Sequence, residues 1–547
     1  MTPLSFRPRL LDHLSGYSRQ TFLADLLAGL TVGAIALPLA MSFAIASGLP
    51  PQTGLITAIV AGFLVSALGG SSVQIGGPAG AFIVVVYAIV ERYGVANLLI
   101  STSLAGLLMM ALGFFRLGGL IRLIPISIVT GFTNGIAVLI ALTQIKEFLG
   151  LRGPNLPAEI FAKLGALWRA LPNIDLPTVA VGVCCLAIIL LWPRSDQPQN
   201  HPLGRVISRL PGSLVALVAS TLVCSLLDLS PETIGDRFGS IPTALPSPEL
   251  PDFNWATVQF LLAPIITIAL LGSIESLLCA RVSDGLTKER HDPNQELVAQ
   301  GMANVVSPIF GGFCATGAVA RTVTNIRAGA RTPVAGMVHA LALLLVVAGL
   351  APLAEEIPLV ALASTALVVA YNMFDRSVFT QMRNMTLSYR ITLFSTFALT
   401  VLVDITVAVE VGLLLAGVGF MVRMAALTQL EPITADELST LGLRPDRTEV
   451  LRLRGVLFFG AVSRIEPLLN PRRDVPQILV LELGSLLAID STGIDALKTL
   501  DESLASRGCE LRICDAHPNV LSSMQRWGLI SQLGEQRVFQ TLQGALA

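Results

Sequence analysis

The stretch SVQIGGPAGAFIVVV, residues 72–86, decides the fold. It is apolar enough for a membrane interior but too short for a spanning helix, which takes about 20 apolar residues. Its first half alternates Val and Ile with polar side chains, and Gly76-Gly77-Pro78 then break the extended run. Proline suits a first helical turn, so a half-helix is predicted from Pro78 onward. Backbone interrupted in this way survives at membrane depth only where protein or a watery cavity surrounds it. A second segment repeats the design: CATGAVARTVTN, residues 314–325, breaks at Gly317-Ala318.

Around these segments the chain reads as membrane protein. Of 547 residues, 53% are hydrophobic and 13% charged, with a mean hydropathy of +0.72. A soluble domain carries about 25% charged residues. Fourteen apolar elements follow one another near 22–47, 54–70, 72–91, 95–115, 120–145, 176–192, 209–227, 258–280, 296–312, 314–328, 333–352, 357–374, 390–404 and 405–425. Seven lie on each side of the loop 228–257. AGFLVSALGG (61–70) aligns with ANVVSPIFGG (303–312), and each glycine pair leads into one of the interrupted segments. An odd number of spans inverts the second copy. The expectation is a polytopic α-helical membrane protein of 7+7 inverted repeats, with a site at the midplane between paired broken helices. The two repeats cover 22–227 and 258–427, within a transmembrane domain 22–427 that follows an N-terminal segment 1–21.

Positive charge sets the orientation. Arg7, Arg9 and Arg19, then Arg116 and Arg122, then Arg194, Arg205 and Arg209, then Arg327 and Arg331, then Arg376, Arg383 and Arg390 fall on one side. The opposite loops are acidic, with Asp228, Glu232, Asp236, Glu249, Asp252, Glu355 and Glu356. The loop 146–175 is mixed. Both termini are therefore expected in the cytoplasm. The first apolar run, from about Phe22 past Pro38, has no cleavage site and reads as a spanning helix rather than a signal peptide.

From 448 onward the pattern changes to short strands (EVLRLRG, LFFG, QILVLELGS, CELRICD) and helices (AVSRIEPLLN, STGIDALKTLDESLASRG). Residues 448–547 read as a small α/β domain behind a polar linker, 428–447. Seven scattered cysteines without a CxxC pattern give neither a disulfide framework nor a metal site. The five histidines form no triad or metal spacing, and no phosphate-binding loop for ATP is present. No enzyme reading and no cofactor follow. The net charge of −1, without a basic block, points away from nucleic acid.

The interrupted segments suggest an anion site. The first N–H groups of a helix lack intrahelical partners and carry the positive end of its dipole. The small residues Ala79, Gly80, Gly317 and Ala318 leave such groups open, so two facing half-helices can hold an anion with little formal charge. Arg321, about one turn into the second half-helix, adds a full charge. Glu275, in LLGSIESLLCA (270–280), has no basic residue within four positions. A charge at the bilayer centre costs roughly 2.5–3.5 kcal/mol on insertion scales. Out of water the carboxylate can carry a proton. Ionised, it would repel an anion, so proton and anion would favour each other's binding. The rival reading is a fixed ion pair of Glu275 with Arg321.

TVGAIALPLAMSFAIASGLPPQTGL (31–55), LGSIESLL, AVARTVTNIRAGARTP (318–333) and IDSTG (489–493) together resemble the sulfate permease (SulP) family of anion transporters over nearly the whole chain. The resemblance implies a core and a gate domain, a substrate between the third and tenth helices, an elevator-type motion, dimers, a bacterial inner membrane and a cytoplasmic STAS domain. It implies that Leu39 and Phe43 border the pocket and that Gly77, Ala79 and Gly80 open the third helix. Glu275 takes the acidic position of the eighth helix, and Gly317, Ala318, Val319, Ala320 and Arg321 begin the tenth. Sodium-coupled bicarbonate members have aspartate at Glu275 and threonines at Cys279 and Val319. A hard cation wants oxygen ligands, so the change favours protons. The subgroup it resembles carries C4-dicarboxylates such as succinate and fumarate. Asp490 and Ser491 match a motif whose serine is phosphorylated in related anti-sigma-factor antagonists. Here helix capping competes with phosphorylation or partner binding as the reading. The reading is thus a proton-coupled importer of dicarboxylate or sulfate. The alternatives are sodium-coupled bicarbonate transport, an uncoupled exchanger or channel, and a membrane scaffold for STAS signalling.

Overall fold

In an apolar surrounding each backbone N–H and C=O must find its partner within the protein, and a helix satisfies them locally. In the computed structural model the fourteen expected segments accordingly each carry a helix. The structure describes residues 6–121, 124–153, 156–157, 159–192, 211–240, 243–244, 246–250, 254–403, 405–434, 437–438, 447–470 and 474–547. Arg122, Arg194, Arg205, Arg209 and Asp252, used above for orientation, lie outside the described residues, as do the first residues of the segment 209–227 and part of the linker.

The first repeat holds α1 (Arg19–Ala46), α2 (Pro51–Leu68), α3 (Ile83–Tyr93), α4 (Val95–Phe114), α5 (Ile126–Phe148), α6 (Leu176–Leu191) and α7 (Gly212–Leu226). The second holds α8 (Leu262–Thr287), α9 (Pro293–Val306), α10 (Val319–Arg327), α11 (Val334–Glu355), α12 (Leu359–Met373), α13 (Leu387–Leu402) and α14 (Ile405–Ala426). Among the described residues seven helices are long and apolar enough to cross a membrane unaided. The short α3 and α10 are the expected broken elements. One helix that the sequence reading omitted, Ile160–Ala170, precedes α6 at a bend of 113° and exposes Phe161 and Trp168.

The helices sort into two groups, each made of equivalent elements from both repeats. In one, α9 packs on α4 and α2, α11 on α1 and α2, and α8 on α4. In the other, α5 packs on α12 and α13, and α6 on α7 and α12. Small residues bring the first group close. A Cβ on Gly106 would stand 2.6 Å from the Gly301 carbonyl oxygen, and one on Gly301 would stand 2.5 Å from that of Gly106. Without a hydrophobic drive between helices in lipid, such close contact supplies the packing energy.

Two compact units divide the chain, Met1–Leu413 and Leu414–Ala547. The second contains a sheet ordered β3-β4-β5-β7-β8, with β6 paired to β4. Its strands are β3 (Gln429–Pro432), β4 (Thr448–Leu457), β5 (Ile478–Glu482), β6 (Leu486–Ile489), β7 (Glu510–Cys514) and β8 (Val538–Phe539), and α15 (Ser491–Ala505) covers one face. Leu481 and Ile513 of the strands and Ile494, Leu497 and Leu500 along one face of α15 are fully buried there. Two expectations are corrected. The linker 428–447 begins with a strand, because β3 pairs antiparallel with β4 from Gln429↔Arg454 to Pro432↔Leu451. AVSRIEPLLN is not an α-helix but two 3₁₀ turns, Val462–Arg464 and Glu466–Leu469, since Pro467 withholds an N–H from any continuous ladder.

Candidate functional site

The extended halves of the two interrupted segments meet. β1 (Gly76–Gly77) pairs antiparallel with β2 (Thr316–Gly317) through Gly76↔Gly317 and Gly77↔Thr316. The Ala318 N–H extends the contact, donating to the Ile75 carbonyl at 2.8 Å. The first helix begins later than its sequence suggests. Pro78 lies outside any helix, Ala79 is extended, Gly80–Phe82 forms a 3₁₀ turn, and α3 starts at Ile83. The second starts at Val319, as the break at Gly317-Ala318 implied.

Backbone without a helical ladder must be satisfied by side chains here, and it is. The Ile75 N–H donates to Thr322 Oγ1 at 3.0 Å, and Asn325 Nδ2 donates to the Val73 carbonyl at 2.9 Å. Gln74 Nε2 donates to Ser276 Oγ at 3.2 Å, and Thr316 Oγ1 to the Gly272 carbonyl at 3.0 Å. Asn304 clamps Ala315, with both bonds at 2.8 Å, and the Phe313 N–H donates to Thr57 Oγ1 at 2.8 Å. These polar residues of α2, α8, α9 and α10 were missed as site builders. Their signal was available, as each is a polar side chain within an apolar span.

The helix starts themselves stay open. Among the described residues no acceptor meets the N–H groups of Ala79, Gly80 and Ala81, or those of Val319, Ala320 and Arg321. Ala79 and Ala318 are buried, whereas Val319 and Ala320 are exposed. α10 therefore buries the face holding Arg321, Thr322 and Asn325 and opens the face holding Val319 and Ala320. Leu39 and Phe43 lie one turn apart on α1, both buried. A Cβ on Gly80 would meet Phe43 Cζ at 3.8 Å, Ile140 Cδ1 at 3.7 Å and Met373 Sδ at 3.1 Å. Ile140 of α5 and Met373 of α12 thus wall the start of α3 from the other group of helices. Neither carried a sequence signal, since both look like ordinary apolar residues of a span.

Arg321 is 1% exposed and reaches across the break. Its Nη2 donates to the Pro78 carbonyl, and its Nη1 lies against Gly77 without a partner among the described residues. Glu275 is half-buried on α8 and forms neither hydrogen bond nor ion pair with any described residue. The suggested Glu275–Arg321 ion pair is absent among the described residues. The contact of Gly272 with Thr316 lies before Glu275 and that of Cys279 Sγ with Thr322 Oγ1, 3.2 Å, after it. Between them, Glu275 sits level with the start of α10.

In the α/β unit Asp490 caps α15, accepting from the Gly493 N–H at 2.8 Å and the Phe459 N–H at 3.2 Å. Ser491 is the first helical residue and is half-buried.

A polytopic helical bundle whose two repeats each contribute a broken element to one central crossing defines a membrane transporter. Residues 22–396 match the model of the sulfate permease family, and residues 444–545 match that of the STAS domain. YvdB of Bacillus subtilis (strain 168) is 36% identical over 536 residues, 97% of this chain and 98% of its own. The transmembrane domain of a cyanobacterium bicarbonate transporter, BicA, superposes with a TM-score of 0.64 at 31% identity, over 72% of this chain and 98% of that one. The murine Slc26a9 anion transporter in its inward-facing state shares the fold, with a TM-score of 0.86 at 17% identity, over 98% and 93%. The chain belongs to the sulfate permease family, and it is an anion transporter with a C-terminal STAS domain.

Proposed function

We propose that the protein imports a small anion together with a proton, the anion resting between the starts of α3 and α10. The observation that carries this reading is the crossing of β1 and β2, beside which six backbone N–H groups lack acceptors among the described residues and Arg321 supplies positive charge. Leu39, Phe43, Gly77, Ala79, Gly80, Gly317, Ala318, Val319, Ala320 and Arg321 form the substrate site. Glu275, level with the start of α10 and unpaired, carries the proton. The substrate is a C4-dicarboxylate such as succinate or fumarate, or sulfate. An elevator-type motion is supported by the two groups of helices, since Gly80 of one abuts Ile140 and Met373 of the other. The functional unit is a homodimer in a bacterial inner membrane with both termini cytoplasmic. Asp490 and Ser491 offer the STAS domain a regulatory contact with a cytoplasmic partner.

The likeness to BicA favours a second reading, bicarbonate transport. Sodium coupling fits less well, because Cys279 and Val319 bring no hard oxygen ligand.

The test uses purified protein in liposomes loaded with a pH-sensitive dye under an inward proton gradient. Fumarate, sulfate and bicarbonate are added in turn, with labelled-anion uptake measured alongside. One of them should acidify the lumen above protein-free liposomes, and Glu275→Gln should abolish that signal. Labelled anion entering without protons, equally in Glu275→Gln, would exclude symport and leave the uncoupled exchanger.

A further inference from the structure

The helix Ile160–Ala170, which bends away from α6, carries an exposed apolar face. Phe161, Leu164 and Trp168 stand at i, i+3 and i+7, the spacing of one helix face. All three are exposed, Phe161 at 73% and Trp168 at 76%. The opposite face, Ile160, Lys163 and Leu167 at the same spacing, is buried. It rests on α3, where Lys163 Nζ lies 5.4 Å from the centre of the Tyr87 ring. The Tyr87 hydroxyl donates to the Leu156 carbonyl, just ahead of the helix. The protein thus covers one face of this helix and leaves the apolar one to its surroundings.

What those surroundings are follows from α6. No charged residue occurs between Leu176 and Leu191, and Leu176, Val183 and Leu190, seven residues apart, form an exposed stripe along the span. A stripe of this kind on a spanning helix faces lipid. The helix Ile160–Ala170 leaves α6 at a bend of 113°, within about 25° of a right angle. Spanning helices tilt by about 20° on average, so a helix nearly perpendicular to α6 runs close to the membrane plane. Leu171 and Ile174, both exposed, join its apolar face to the lipid-facing stripe of α6. α6 has 16 residues, about 24 Å of helix, against a hydrocarbon core of about 30 Å. The shortfall draws the helix ahead of it into the boundary between headgroups and acyl chains. Its composition suits that depth. Tryptophan concentrates at membrane–water boundaries. Arg169, exposed beside Trp168, sets a charge at the edge of the apolar face, with its Nε held on the Gly165 carbonyl at 3.1 Å.

We propose that the helix Ile160–Ala170 is an in-plane anchor whose exposed face binds the bilayer surface, with Phe161, Leu164 and Trp168 among the upper acyl chains and Arg169 among the headgroups. A second copy of the chain is the rival occupant. Continuity with the lipid-facing stripe of α6 favours lipid. The anchor is independent of which anion is carried and of how transport is coupled.

The experiment reads the depth of Trp168 by fluorescence quenching. The full chain is placed in phosphatidylcholine vesicles whose acyl chains carry bromine either near the headgroup or near the chain end. A variant with Trp192→Phe, Trp255→Phe and Trp527→Phe retains Trp168 alone. Should that variant fail to fold, the difference in quenching between wild type and Trp168→Phe gives the same reading, since Trp168 is exposed and its replacement leaves the packing intact. Bromine near the headgroup should quench Trp168 at least twofold more than bromine near the chain end, and iodide in the water should quench it weakly. Three results overturn the anchor. Strong iodide quenching without bromine quenching puts the face in water. Insensitivity to both puts it against protein, a second copy included. Stronger quenching by bromine near the chain end puts the helix across the membrane instead of along its surface.

Discussion

Gly77→Ala should harm both folding and anion affinity, for two separable reasons. Gly77 has a φ of +145°, a backbone conformation that costs an L residue roughly 1–3 kcal/mol. Its new methyl would also stand 2.6 Å from Arg321 Nη1, where ordinary contact begins at 3.4 Å. The guanidinium must retreat by about 0.8 Å, the difference between those values, which pulls Nη2 from the Pro78 carbonyl. A hydrogen bond from a charged group contributes about 1.5–3 kcal/mol. The two effects together come to about 2.5–6 kcal/mol. Gly94→Ala separates them. Gly94 has a φ of +84° but open space around its Cα, so its variant carries strain alone. Stability is followed by heat inactivation in detergent, and affinity by labelled-anion uptake. Gly94→Ala should lose modest stability and keep its KM. Gly77→Ala should lose more stability, and its KM should rise at least tenfold as Arg321 moves. Equal behaviour of the two variants in both assays would refute the argument that Arg321 is held against the broken strand.

Three further outcomes follow from contacts elsewhere in the chain. Asp25 is fully buried and accepts from the Arg331 N–H (2.8 Å), the Thr332 N–H (3.2 Å), Thr332 Oγ1 (2.6 Å) and the Tyr17 hydroxyl (3.0 Å). Asp25→Ala strands these donors and should cost about 3 kcal/mol or more in heat stability, whereas Asp25→Asn keeps the shape and should cost about 1 kcal/mol. In the loop after α7, Arg237 bonds Glu232 through Nε at 2.8 Å and pairs with Glu147 at 2.8 Å. The hydrogen bond from Arg237 holds the Glu232 carboxyl below its ordinary value of 4.5, so its stabilisation is present above that pH and fades as pH falls toward the lowered value. Acid should thus loosen wild type more steeply than Glu232→Gln below about pH 4.5, as read by inactivation rate against pH. Asp490→Ala removes the cap of α15 and should destabilise the α/β unit by about 0.5–2 kcal/mol, while Ser491→Ala should be nearly neutral in the same melting experiment on the full chain.

The sequence was most informative where a rule of the membrane was broken. The length of the apolar runs gave the ordinary spans, and the GG-P and G-A interruptions gave the two broken ones, because interrupted backbone at membrane depth needs protein or a watery cavity around it. The start of α3 was misjudged by a few residues. Pro78 is suited to a first helical turn, but its carbonyl is taken by Arg321, and the preceding residues are committed to β1. The partners that hold the break (Thr57, Asn304, Thr322 and Asn325) come from three different helices, and only the tertiary fold brings them together. Ile140 and Met373 were illegible for another reason, since a residue that walls a pocket has the same chemistry as one that faces lipid. The β3 strand hid in a polar stretch because it is an edge, paired on one side only, and needs little apolar alternation.

The missing Glu275–Arg321 pair bears on how such a site can couple two ligands. Had the two groups been paired, an anion would have met a neutral site and would have had to break a buried ion pair to bind. Instead the Arg321 charge is directed at the Pro78 carbonyl and the broken strand, and Glu275, beside the start of α10, has no hydrogen-bond or ion-pair partner among the described residues. An ionised carboxylate there and an anion at the helix start compete for the same positive dipole end. A proton on Glu275 removes the competitor. On the proposed mechanism the coupling is therefore reciprocal: the anion raises proton affinity by the same factor by which the proton raises anion affinity. Neither group needs to touch the other for this to hold. It needs only that both sit at one helix terminus, and on that mechanism the coupling offsets the insertion cost of a glutamate in the middle of an apolar helix.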